Sequence, residues 1–379
     1  MSKNIPEIRI NGFDKDWKQC KLGKLCSITT GKLDANAMVE DGDYDFYTSG
    51  IEKYRIDIAA FEGPAITIAG NGASVGYMHL ADGKFNAYQR TYVLRDFLAD
   101  RQFLSSVIGQ ELPLKIQEEI RGSGIPYIIM DMLTELNIPL PNKEEQYKVG
   151  TFFSDLDNLI TLHQQEYDKL VNNKKAMLEK MFPKEGCDVP EIRFKGFDKS
   201  WELRELGDVF KEYSEKNHAE LPPLTIVQGG GTVRRDESDR NLMYDKNNLS
   251  NYKMVNKGDF IVHLRSFEGG LEIATNTGII SPAYHTFHGE NTDSRFYYSY
   301  FRSQKFINID LKPHVYGIRD GRSIDMEGMK TIKIPYTSFE EQKAIGDFID
   351  LINECILLQK QELEKLKNIK AALLEKMFV

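Results

Sequence analysis

The chain has 379 residues, enough for two or three domains that each bury a core. Its formal net charge is −8, with 41% hydrophobic and 28% charged residues, which argues against a broad basic face that binds nucleic acid unaided. No apolar run reaches the roughly 18 residues of a membrane helix, and the first residues lack the apolar stretch of a signal peptide, so we expect a cytoplasmic protein.

Cysteine and motif content argue against a metal site and against catalysis. The four cysteines, Cys20, Cys26, Cys187 and Cys355, form no C-x-x-C pair and have no histidine at metal-ligand spacing, so we expect free thiols. The chain has no G-x-x-x-x-G-K-[ST] phosphate loop. The glycines of 69–76 miss the G-x-G-x-x-G spacing of a dinucleotide site by one residue. We therefore expect no catalytic residue, no metal and no cofactor in this chain.

The sequence contains two pairs of similar blocks. The block Ile5 to Lys24 returns as Val189 to Asp208, and the block Ile138 to Phe182 returns as Ile334 to Phe378. The copies are offset by 184 residues in the first pair and by 196 in the second, so the middle of the second half is 12 residues longer. Similar ends around dissimilar middles predict two different binding domains on one repeated frame.

In chain order, the blocks enclose two variable regions that are predicted to mix α and β structure. Short apolar runs such as 65–69 and 260–264 indicate strands, and helices are predicted near 103–120 and 294–308. The predicted segments are 1–21, an N-terminal repeated segment; 22–137, the first variable domain; 138–188, a central region with long helix 1; 189–205, the second N-terminal copy; 206–333, the second variable domain; and 334–379, a C-terminal region with long helix 2.

Each later block predicts a long helix with one apolar stripe. Between Glu144 and Met181 apolar residues recur at spacings of three and four, and the second copy repeats the pattern, as in paired helices. Roughly 37 residues would give a rod of about 55 Å. We expect the two helices to pair antiparallel along a seam formed by Phe152, Leu156, Leu159, Leu170, Met177, Phe348, Ile352, Leu363, Leu366 and Leu373.

The first variable region holds two candidate contact clusters. Gly70-Asn71-Gly72 predicts a tight turn between strands, and its small residues would also let backbone amides approach a phosphate or a base edge. The run 86–91 combines amide, aromatic and guanidinium groups, and in the major groove Asn or Gln can pair bidentately with adenine and Arg with guanine. The same run fits a satisfied network at a strand end equally well, so both interpretations stay open.

The second variable region holds three more clusters. The run 228–235 has three glycines followed by paired arginines, which suits a phosphate backbone or a groove, with a mobile surface loop as the alternative. The run 263–266 would alternate polar groups on one face of a strand, and 316–322 is another candidate loop. The candidate nucleic-acid contacts of both regions are Asn71, Tyr88, Gln89, Arg90, Gln228, Thr232, Arg234, Arg235, Arg265, Ser266, Tyr316, Arg319 and Arg322.

The order of these blocks resembles the specificity subunit of type I restriction-modification enzymes. The variable region is followed by a proline-rich entry, an E-E-Q helix that ends in L-E-K-M-F, and a second copy that opens on P-E-I-R-F. The likeness runs over essentially the whole chain and includes V-P-E-I-R-F-K-G-F-D at 189–198, K-G-D-F at 257–260 and S-P-A-Y at 281–284. Several independent blocks in one order make the resemblance specific.

The resemblance implies an α+β fold in which two globular mixed α/β target recognition domains are separated by two long antiparallel coiled-coil helices with pseudo-two-fold symmetry. Each recognition domain would read one half of an asymmetric, bipartite sequence in double-stranded DNA, and the helices would set the spacer. The implied partners are two methyltransferase subunits, which use S-adenosylmethionine, and motor-nuclease subunits. The chain itself would be non-catalytic, in the bacterial cytoplasm.

Two other functions remain open from the sequence. A non-catalytic interaction scaffold, in which the helices form a coiled coil and the variable regions bind proteins, explains the apolar seam and the acidic charge. It does not explain why whole blocks are duplicated around unlike domains. A methyltransferase or nuclease in one chain would require the isolated protein to bind S-adenosylmethionine or a divalent metal.

Overall fold

The computed structural model describes residues 5–119, 126–238, 246–317 and 322–378. The chain divides into two compact units. Unit 1 comprises Met1–Gln165 and Lys360–Val379, and unit 2 comprises Glu166–Gln359. The predicted variable domains 22–137 and 206–333 fall within unit 1 and unit 2, respectively. None of the helices in the described ranges combines the length and the apolarity needed to cross a bilayer.

Unit 1 is built on two four-stranded sheets. Its strands are β1 (Lys18–Lys21), β2 (Ser27–Thr30), β3 (Tyr44–Tyr47), β4 (Lys53–Ile56), β5 (Phe61–Glu62), β6 (Ala65–Ala69), β7 (Met78–Ala81), β8 (Lys84–Ala87), β9 (Thr91–Arg95) and β10 (Asn137–Leu140). Its helices are α1 (Arg101–Glu119), α2 (Met130–Thr134), the first part of α3 (Lys143–Met181) and 3₁₀ turns at Leu22–Lys24 and Ala35–Ala37. One sheet has the antiparallel order β2-β9-β6-β7, the other the order β4-β3-β8-β5, and β1 pairs with β10.

The apolar run of β6 is buried on both faces because its sheet lies between a helix and the second sheet. Ile66 and Ile68 belong to the core that α1 completes with Phe103. Ala65 belongs to a smaller core with Phe85 of β8. Buried strands with apolar residues on both faces read as continuous apolar runs, which is why 65–69 could be predicted as a strand.

Unit 2 contains a sheet of the same strand order. Its strands are β11 (Glu202–Glu205), β12 (Phe210–Tyr213), β13 (Leu224–Val227), β14 (Gly231–Arg234), β15 (Lys253–Val255), β16 (Phe260–Val262), β17 (Glu272–Ile273), β18 (Gly278–Ile280), β19 (His285–Gly289), β20 (Val315–Tyr316), β21 (Ser323–Ile324) and β22 (Lys333–Tyr336). Its helices are α4 (Leu206–Val209), α5 (Ser266–Gly269), α6 (Ser294–Phe301), α7 (Met326–Lys330), the first part of α8 (Phe339–Met377), a π-helix at Phe306–Leu311 and 3₁₀ turns at Arg235–Glu237, Lys246–Asn251 and Lys312–His314.

The sheet of unit 2 has the order β12-β19-β16-β17, which matches β2-β9-β6-β7 strand for strand. The strand pair β11–β22 likewise matches β1–β10. The hairpin β13–β14 and the pair β15–β18 have the chain order and the antiparallel pairing of β3–β4 and β5–β8. The parallel bridge between Pro223 and Ile279 likewise matches the parallel pairing of β3 with β8. The pair β20–β21 has no counterpart among the described residues of unit 1, so the described parts of the two units share both sets of strands and differ in the loops and in this added pair.

A buried carboxylate joins the N-terminal repeated block to the long helix in each unit. In unit 1, Glu145 accepts hydrogen bonds from Arg9 Nε at 2.7 Å and Arg9 Nη2 at 2.9 Å, and from Trp17 Nε1 at 3.2 Å. In unit 2, Glu341 accepts from Arg193 Nε at 2.7 Å and Nη2 at 2.8 Å, and from Trp201 Nε1 at 3.1 Å. We call each of these arrangements a carboxylate clamp.

The glutamine that follows each clamp ties the long helix to the variable domain. Gln146 Oε1 accepts from the backbone nitrogen of Asp100 at 3.0 Å, just before α1. Gln342 Oε1 accepts from the backbone nitrogen of Asp293 at 3.0 Å, just before α6. The approach is close enough that a Cβ on Gly150 would lie 2.5 Å from Asp100 Oδ1. The E-E-Q motif is thus the joint between each long helix and its variable domain.

The two long helices run antiparallel to each other within each unit. In unit 1, Phe378 just beyond the end of α8 stacks on Phe153 near the start of α3, with ring centroids 5.7 Å apart, and it also contacts Trp17 at 6.1 Å. In unit 2, Phe182 just beyond the end of α3 contacts Trp201 at 6.0 Å and Phe296 at 5.0 Å. The repeated L-E-K-M-F therefore places the end of each helix in the core beside a carboxylate clamp.

The seam differs from the predicted one at two positions. Phe152 and Leu159 are exposed to 41% and 40%, whereas Phe153 is fully buried and Ile160 is half-buried. Each predicted residue has an apolar neighbour one position later, about 100° further round the helix. Phe153, not Phe152, faces the seam because its ring stacks on that of Phe378. Of the other predicted seam residues, Leu363 and Leu366 are buried, and six are half-buried: Leu156, Leu170, Met177, Phe348, Ile352 and Leu373.

We expect Glu145→Gln to lower the free energy of unfolding of unit 1 by about 3 kcal/mol, because it leaves the buried guanidinium of Arg9 without its charge partner. The chain has two tryptophans, and each donates to one clamp, so fluorescence reports the units separately. Urea unfolding followed by Trp17 in a Trp201→Phe background measures the effect.

Glu144→Gln is the matched control, because the neighbouring carboxylate is 70% exposed and pairs with Lys148 on the surface. It should change the same free energy by less than about 0.5 kcal/mol. Equal effects of Glu144→Gln and Glu145→Gln would show that the clamp does not stabilise unit 1.

Candidate nucleic-acid interface

All four candidates of unit 1, and Arg265 and Ser266 in unit 2, lie at one corresponding edge of the two central sheets. In unit 1, β2 and β6 end at this edge and β9 begins there, since Ala69 pairs with Thr91 and Thr30 with Tyr92. In unit 2, β12 and β16 end there and β19 begins, since Val262 pairs with His285. We call the loops at this edge, 70–77 and 88–90 in unit 1 and 263–271 and 281–284 in unit 2, the loop edge.

The structure brings the two clusters of unit 1 together. The backbone nitrogen of Gly70 donates to the carbonyl oxygen of Arg90 at 2.9 Å, and the carbonyl oxygen of Gly70 accepts from the nitrogen of Ile128 at 2.7 Å. A Cβ at position 70 would lie 2.2 Å from the Arg90 oxygen, so only glycine fits. Asn71 follows, half-buried, and its Oδ1 accepts a hydrogen bond from Ser49 Oγ at 2.7 Å.

The second cluster of unit 1 forms a turn that exposes polar side chains. Tyr88 is half-buried and its backbone nitrogen donates to the Tyr47 oxygen at 2.9 Å. Gln89 is exposed, with Nε2 3.5 Å from Asp34 Oδ2. Arg90 is exposed, and its guanidinium makes no hydrogen bond or ion pair with any other described residue. In this turn, the guanidinium of Arg90 has the most hydrogen-bond donors without a partner among the described residues.

In unit 2, the run 263–266 is not the strand that was predicted. β16 ends at Val262, the chain turns, and Ser266 begins α5. Ser266 is fully buried and its Oγ accepts from the backbone nitrogen of His263 at 2.9 Å, so its hydroxyl stabilises the turn and does not face outward. Arg265 is exposed, and within the described ranges its guanidinium has no partner. The prediction is therefore wrong for Ser266, while Arg265 lies on the loop edge.

The glycine-rich loop is held by a buried carboxylate. Glu272 accepts from the backbone nitrogens of Gly229 at 2.6 Å and Gly231 at 3.2 Å, and from the Tyr298 hydroxyl at 2.9 Å. Arg302 forms an ion pair with the same carboxylate. The loop amides are thus occupied by Glu272 and are not available to bind a phosphate.

Two further predicted contacts of this loop are also taken up internally. Thr232 is buried, and its Oγ1 accepts from the backbone nitrogen of Thr275 at 3.0 Å. Arg234 is exposed, but its Nε and Nη2 donate to Asp236 at 3.0 Å and 2.8 Å. Burial removes Thr232 from the candidate contacts, whereas Arg234 is exposed and can exchange Asp236 for another anion, so contact of Arg234 with DNA stays a prediction.

The remaining candidates of unit 2 differ in their surroundings. Gln228 is exposed beside α5, since a Cβ on Gly269 would meet its Nε2 at 2.4 Å. Arg235 lies 5.4 Å from the Tyr252 ring, and its Nε donates to the Leu224 oxygen at 3.2 Å.

Tyr316 is exposed on the hairpin β20–β21. Arg322, on the same connection, lies over the Phe267 ring of α5 at 5.6 Å. Arg319 lies outside the described residues. The hairpin and α5 therefore present Tyr316, Arg322 and Arg265 on neighbouring elements.

The structure adds two residues, Ser49 and Tyr127, that no local sequence pattern marked. Ser49, in the loop between β3 and β4, donates a hydrogen bond to Asn71. Tyr127, which is 61% exposed, forms a β-bridge with Asn71. In unit 2, His263 is half-buried with its Nε2 unpaired, and burial, followed by the charges of Arg302 and Arg265, lowers its pKa to about 4. These partners come from distant parts of the chain, so only the fold reveals them.

Potential metal and redox groups are few. All four cysteines are free thiols, and burial raises the pKa of Cys26 to about 12. In the part of the chain that the structure describes, no three His, Cys, Asp or Glu side chains are placed to bind a metal ion. The chemistry of both loop edges is hydrogen bonding by amide, hydroxyl and guanidinium groups.

Comparison with known proteins identifies a family over most of the chain. The family profile described as "Type I restriction modification DNA specificity domain" matches residues 14–172 and 198–368. The EcoDI specificity subunit of Escherichia coli is 36% identical over 205 residues, which cover 54% of this chain and 41% of that one. The MjaVIII specificity subunit of Methanocaldococcus jannaschii is 26% identical, covering 97% and 93%.

Solved structures show the same fold. The S subunit of a type I restriction-modification system from M. genitalium superimposes with a TM-score of 0.59 at 19% identity and covers 99% of both chains. A chain from a study of complex assembly and conformational transition of the type I R-M system gives 0.53 at 16% identity, covering 96% and 97%. These likenesses confirm the predicted fold class of two mixed α/β domains with long helices.

We expect unit 2 to become less stable as the pH is lowered from about 6.5 to about 4, because of His263. The folded pKa of about 4 lies below the unfolded value of about 6.5, so in this window the unfolded chain binds a proton that the folded chain does not. His263→Asn keeps an acceptor for the turn and removes the titration. Urea unfolding followed by Trp201 fluorescence at about pH 7 and about pH 5 should show a smaller stability loss in the variant.

His218→Asn provides a control of opposite sign. Its pKa is raised by Glu215 and then Glu220, so its contribution is present below the unfolded pKa and is lost as pH rises through the folded one. The imidazole of His218 is near the surface, so removing it should only slightly increase the loss of unit 2 stability as the pH is lowered. The interpretation of His263 fails if the free energy of unfolding changes by the same amount between about pH 7 and about pH 5 in His263→Asn and in the wild type.

Proposed function

The chain belongs to the family of type I restriction-modification DNA specificity proteins, and we propose that it reads an asymmetric, bipartite sequence in double-stranded DNA for a complex whose other subunits perform the chemistry. The observation that carries the proposal is the loop edge, which occupies the same edge of the same sheet in both units with different side chains. Each unit would read one half-site.

The two loop edges support an asymmetric target. The loop edge of unit 1 offers Asn71, Gln89 and Arg90, whereas that of unit 2 offers Arg265, with Tyr316 and Arg322 on the neighbouring pair β20–β21. Base edges in the major groove are distinguished by their patterns of donors and acceptors. Unlike side chains at equivalent places are therefore expected to select unlike half-sites, and the long helices α3 and α8 to set the spacer between them.

Acidic charge is consistent with a subunit that leaves most phosphate contacts to its partners. Neutralising phosphates with Lys and Arg supplies most of the non-specific affinity for DNA, and this chain carries a net charge of −8. We therefore expect weak DNA binding by the chain alone and tight binding in the complex. S-adenosylmethionine would be held by the methyltransferase subunits, and this chain would need no cofactor for its role in the bacterial cytoplasm.

A duplicated apolar stripe on the long helices supports docking of two methyltransferase subunits. Leu162 and Leu358 occupy equivalent positions in the two copies, and each is 57% exposed. Leu159 and Cys355 are likewise equivalent and exposed. Exposed apolar groups that recur at one position in both copies are best explained by the same partner contacting each. We call Leu159, Leu162, Cys355 and Leu358 the outer stripe; Phe152 is exposed beside it, whereas its counterpart Phe348 is half-buried.

We expect replacement of residues 22–137 by the corresponding domain of another family member to change one half of the methylated sequence and to leave the other half and the spacer intact. Single-molecule sequencing of methylated adenines, in cells that also carry the methyltransferase, measures both halves at once. Exchange of 206–333 is the matched control and should change the other half. A change in both halves from either exchange would refute independent reading.

Leu162→Asp and Leu358→Asp should each remove one methyltransferase subunit from the complex, because a carboxylate in an apolar contact costs more than the contact contributes. We expect two subunits per chain to become one in each single variant and none in the double variant, measured by mass photometry of co-expressed complexes. Leu357→Asp is the control: Leu357 is 54% exposed, but its counterpart is Thr161. Full occupancy in the double variant would exclude the outer stripe as the docking surface.

A further inference from the structure

This inference rests on the proposed function: we propose that Ser49 is a positioning residue for base recognition. Ser49 orients the amide of Asn71 so that the loop edge of unit 1 offers hydrogen-bond donors. The base pair read there is G·C, and the donors contact guanine. Ser49 belongs to none of the motifs identified in the sequence. Its one side-chain hydrogen bond among the described residues is the one to Asn71.

The backbone around Asn71 is held on both sides, so its side chain leaves the protein in one direction. Gly70 is bonded to the Arg90 oxygen at 2.9 Å and to the Ile128 nitrogen at 2.7 Å. Gly72 donates to the Pro126 oxygen at 3.1 Å, and Asn71 itself forms the β-bridge to Tyr127. A side chain on such a segment is a rigid reader and loses little conformational entropy on binding.

In the structure the hydroxyl of Ser49 contacts the oxygen end of the Asn71 amide and leaves the nitrogen end for DNA. A carboxamide is nearly symmetric in shape, and its oxygen and nitrogen can exchange places by a rotation of the side chain. Ser49 Oγ donates to Oδ1 at 2.7 Å, and its proton has no other acceptor in the described ranges. Nδ2 makes no hydrogen bond there and is not buried. The amide therefore presents its two N–H donors to solvent.

Arg90 adds a second donor at the same place. Its backbone oxygen is bonded to Gly70, the residue before Asn71, while its guanidinium is exposed and unpaired within the described residues. Guanine presents two acceptors in the major groove, N7 and O6, whereas the edges of adenine and cytosine carry amino donors. A pair of donors from neighbouring side chains matches guanine and opposes an amino group.

The described loop edge of unit 2, 263–271 and 281–284, lacks this arrangement. At its loop edge the residue before Arg265 is Leu264, which is 70% exposed, and the nearby serine, Ser266, is buried in the turn. The hydroxyl–amide pair is therefore particular to unit 1. Its consequence should appear in only one half of the target.

Asn71→Asp provides the direct test, because it keeps the size of the side chain and the acceptor for Ser49 while it replaces the outward N–H donors by a carboxylate oxygen. In cells carrying the methyltransferase, sequencing of methylated adenines should show a G·C pair in the half assigned to 22–137 by domain exchange. With Asn71→Asp, preference for that pair over the alternatives should fall about tenfold, and pairs that direct an amino group to this position should gain.

Ser49→Ala and Ser49→Thr separate positioning from stability. Without the hydroxyl the amide can turn either way, so Ser49→Ala should relax the preference at that one base pair. Ser49→Thr keeps a hydroxyl and should restore it. Unfolding of unit 1, followed by Trp17, measures any loss of stability, which a purely structural role would produce without a change confined to one base pair.

The outcomes distinguish this inference from the function on which it rests. Absence of bipartite methylation in the wild type would remove the proposed function. Bipartite methylation with no G·C pair in the half read by unit 1 would overturn the inference and leave the function standing. A preference that changes with Asn71→Asp but not with Ser49→Ala would assign the reading to Asn71 and overturn the role of Ser49.

Discussion

A buried carboxylate must be neutralised by a partner, and in each unit that requirement ties together segments far apart in the chain. Trp17 and Glu145 are separated by 128 residues, Trp201 and Glu341 by 140, yet the bonds in the two clamps agree closely in length. The twelve extra residues of the second half therefore lie wholly between the clamped segments. Because the clamp fixes both ends of each variable domain, the middle can change in length and sequence without disturbing the joint to the long helices.

The same constraint explains which parts of the chain are free to differ. The strand pair β1–β10, the glutamine joint and the terminal phenylalanine all surround the clamp, and each has a counterpart in unit 2. At the other end of the central sheet, no hydrogen bond joins the repeated blocks to the loop edge within the described residues. The loop edge can therefore carry Asn71 and Arg90 in one unit and Arg265 in the other on the same support.

The sequence was sufficient for the long-period features and insufficient for those that depend on distant contacts. Duplication and 3.5-residue spacing predicted both long helices, observed as Lys143–Met181 and Phe339–Met377. Which of Phe152 and Phe153 faces the seam depends on contact with Phe378, at the other end of the sequence, so it could not be predicted locally. Likewise, nothing near Gly229 indicates that its amide faces Glu272, 43 residues later, so a pinned loop was predicted as mobile or phosphate-binding.

Polar pairs in the helix seam fix its register and follow the same repeat. In unit 1, Lys370 forms an ion pair with Asp157, and in unit 2 the equivalent Lys174 donates to Asn353 Oδ1 at 2.6 Å. Asn353 cannot neutralise a charge, and burial lowers the pKa of Lys174. Sliding the helices by one heptad would place Gly346 or Lys360 opposite Lys174, and neither has a side-chain oxygen to accept its hydrogen bond. Apolar residues make the helices associate, and Lys174 favours the alignment in which it faces Asn353.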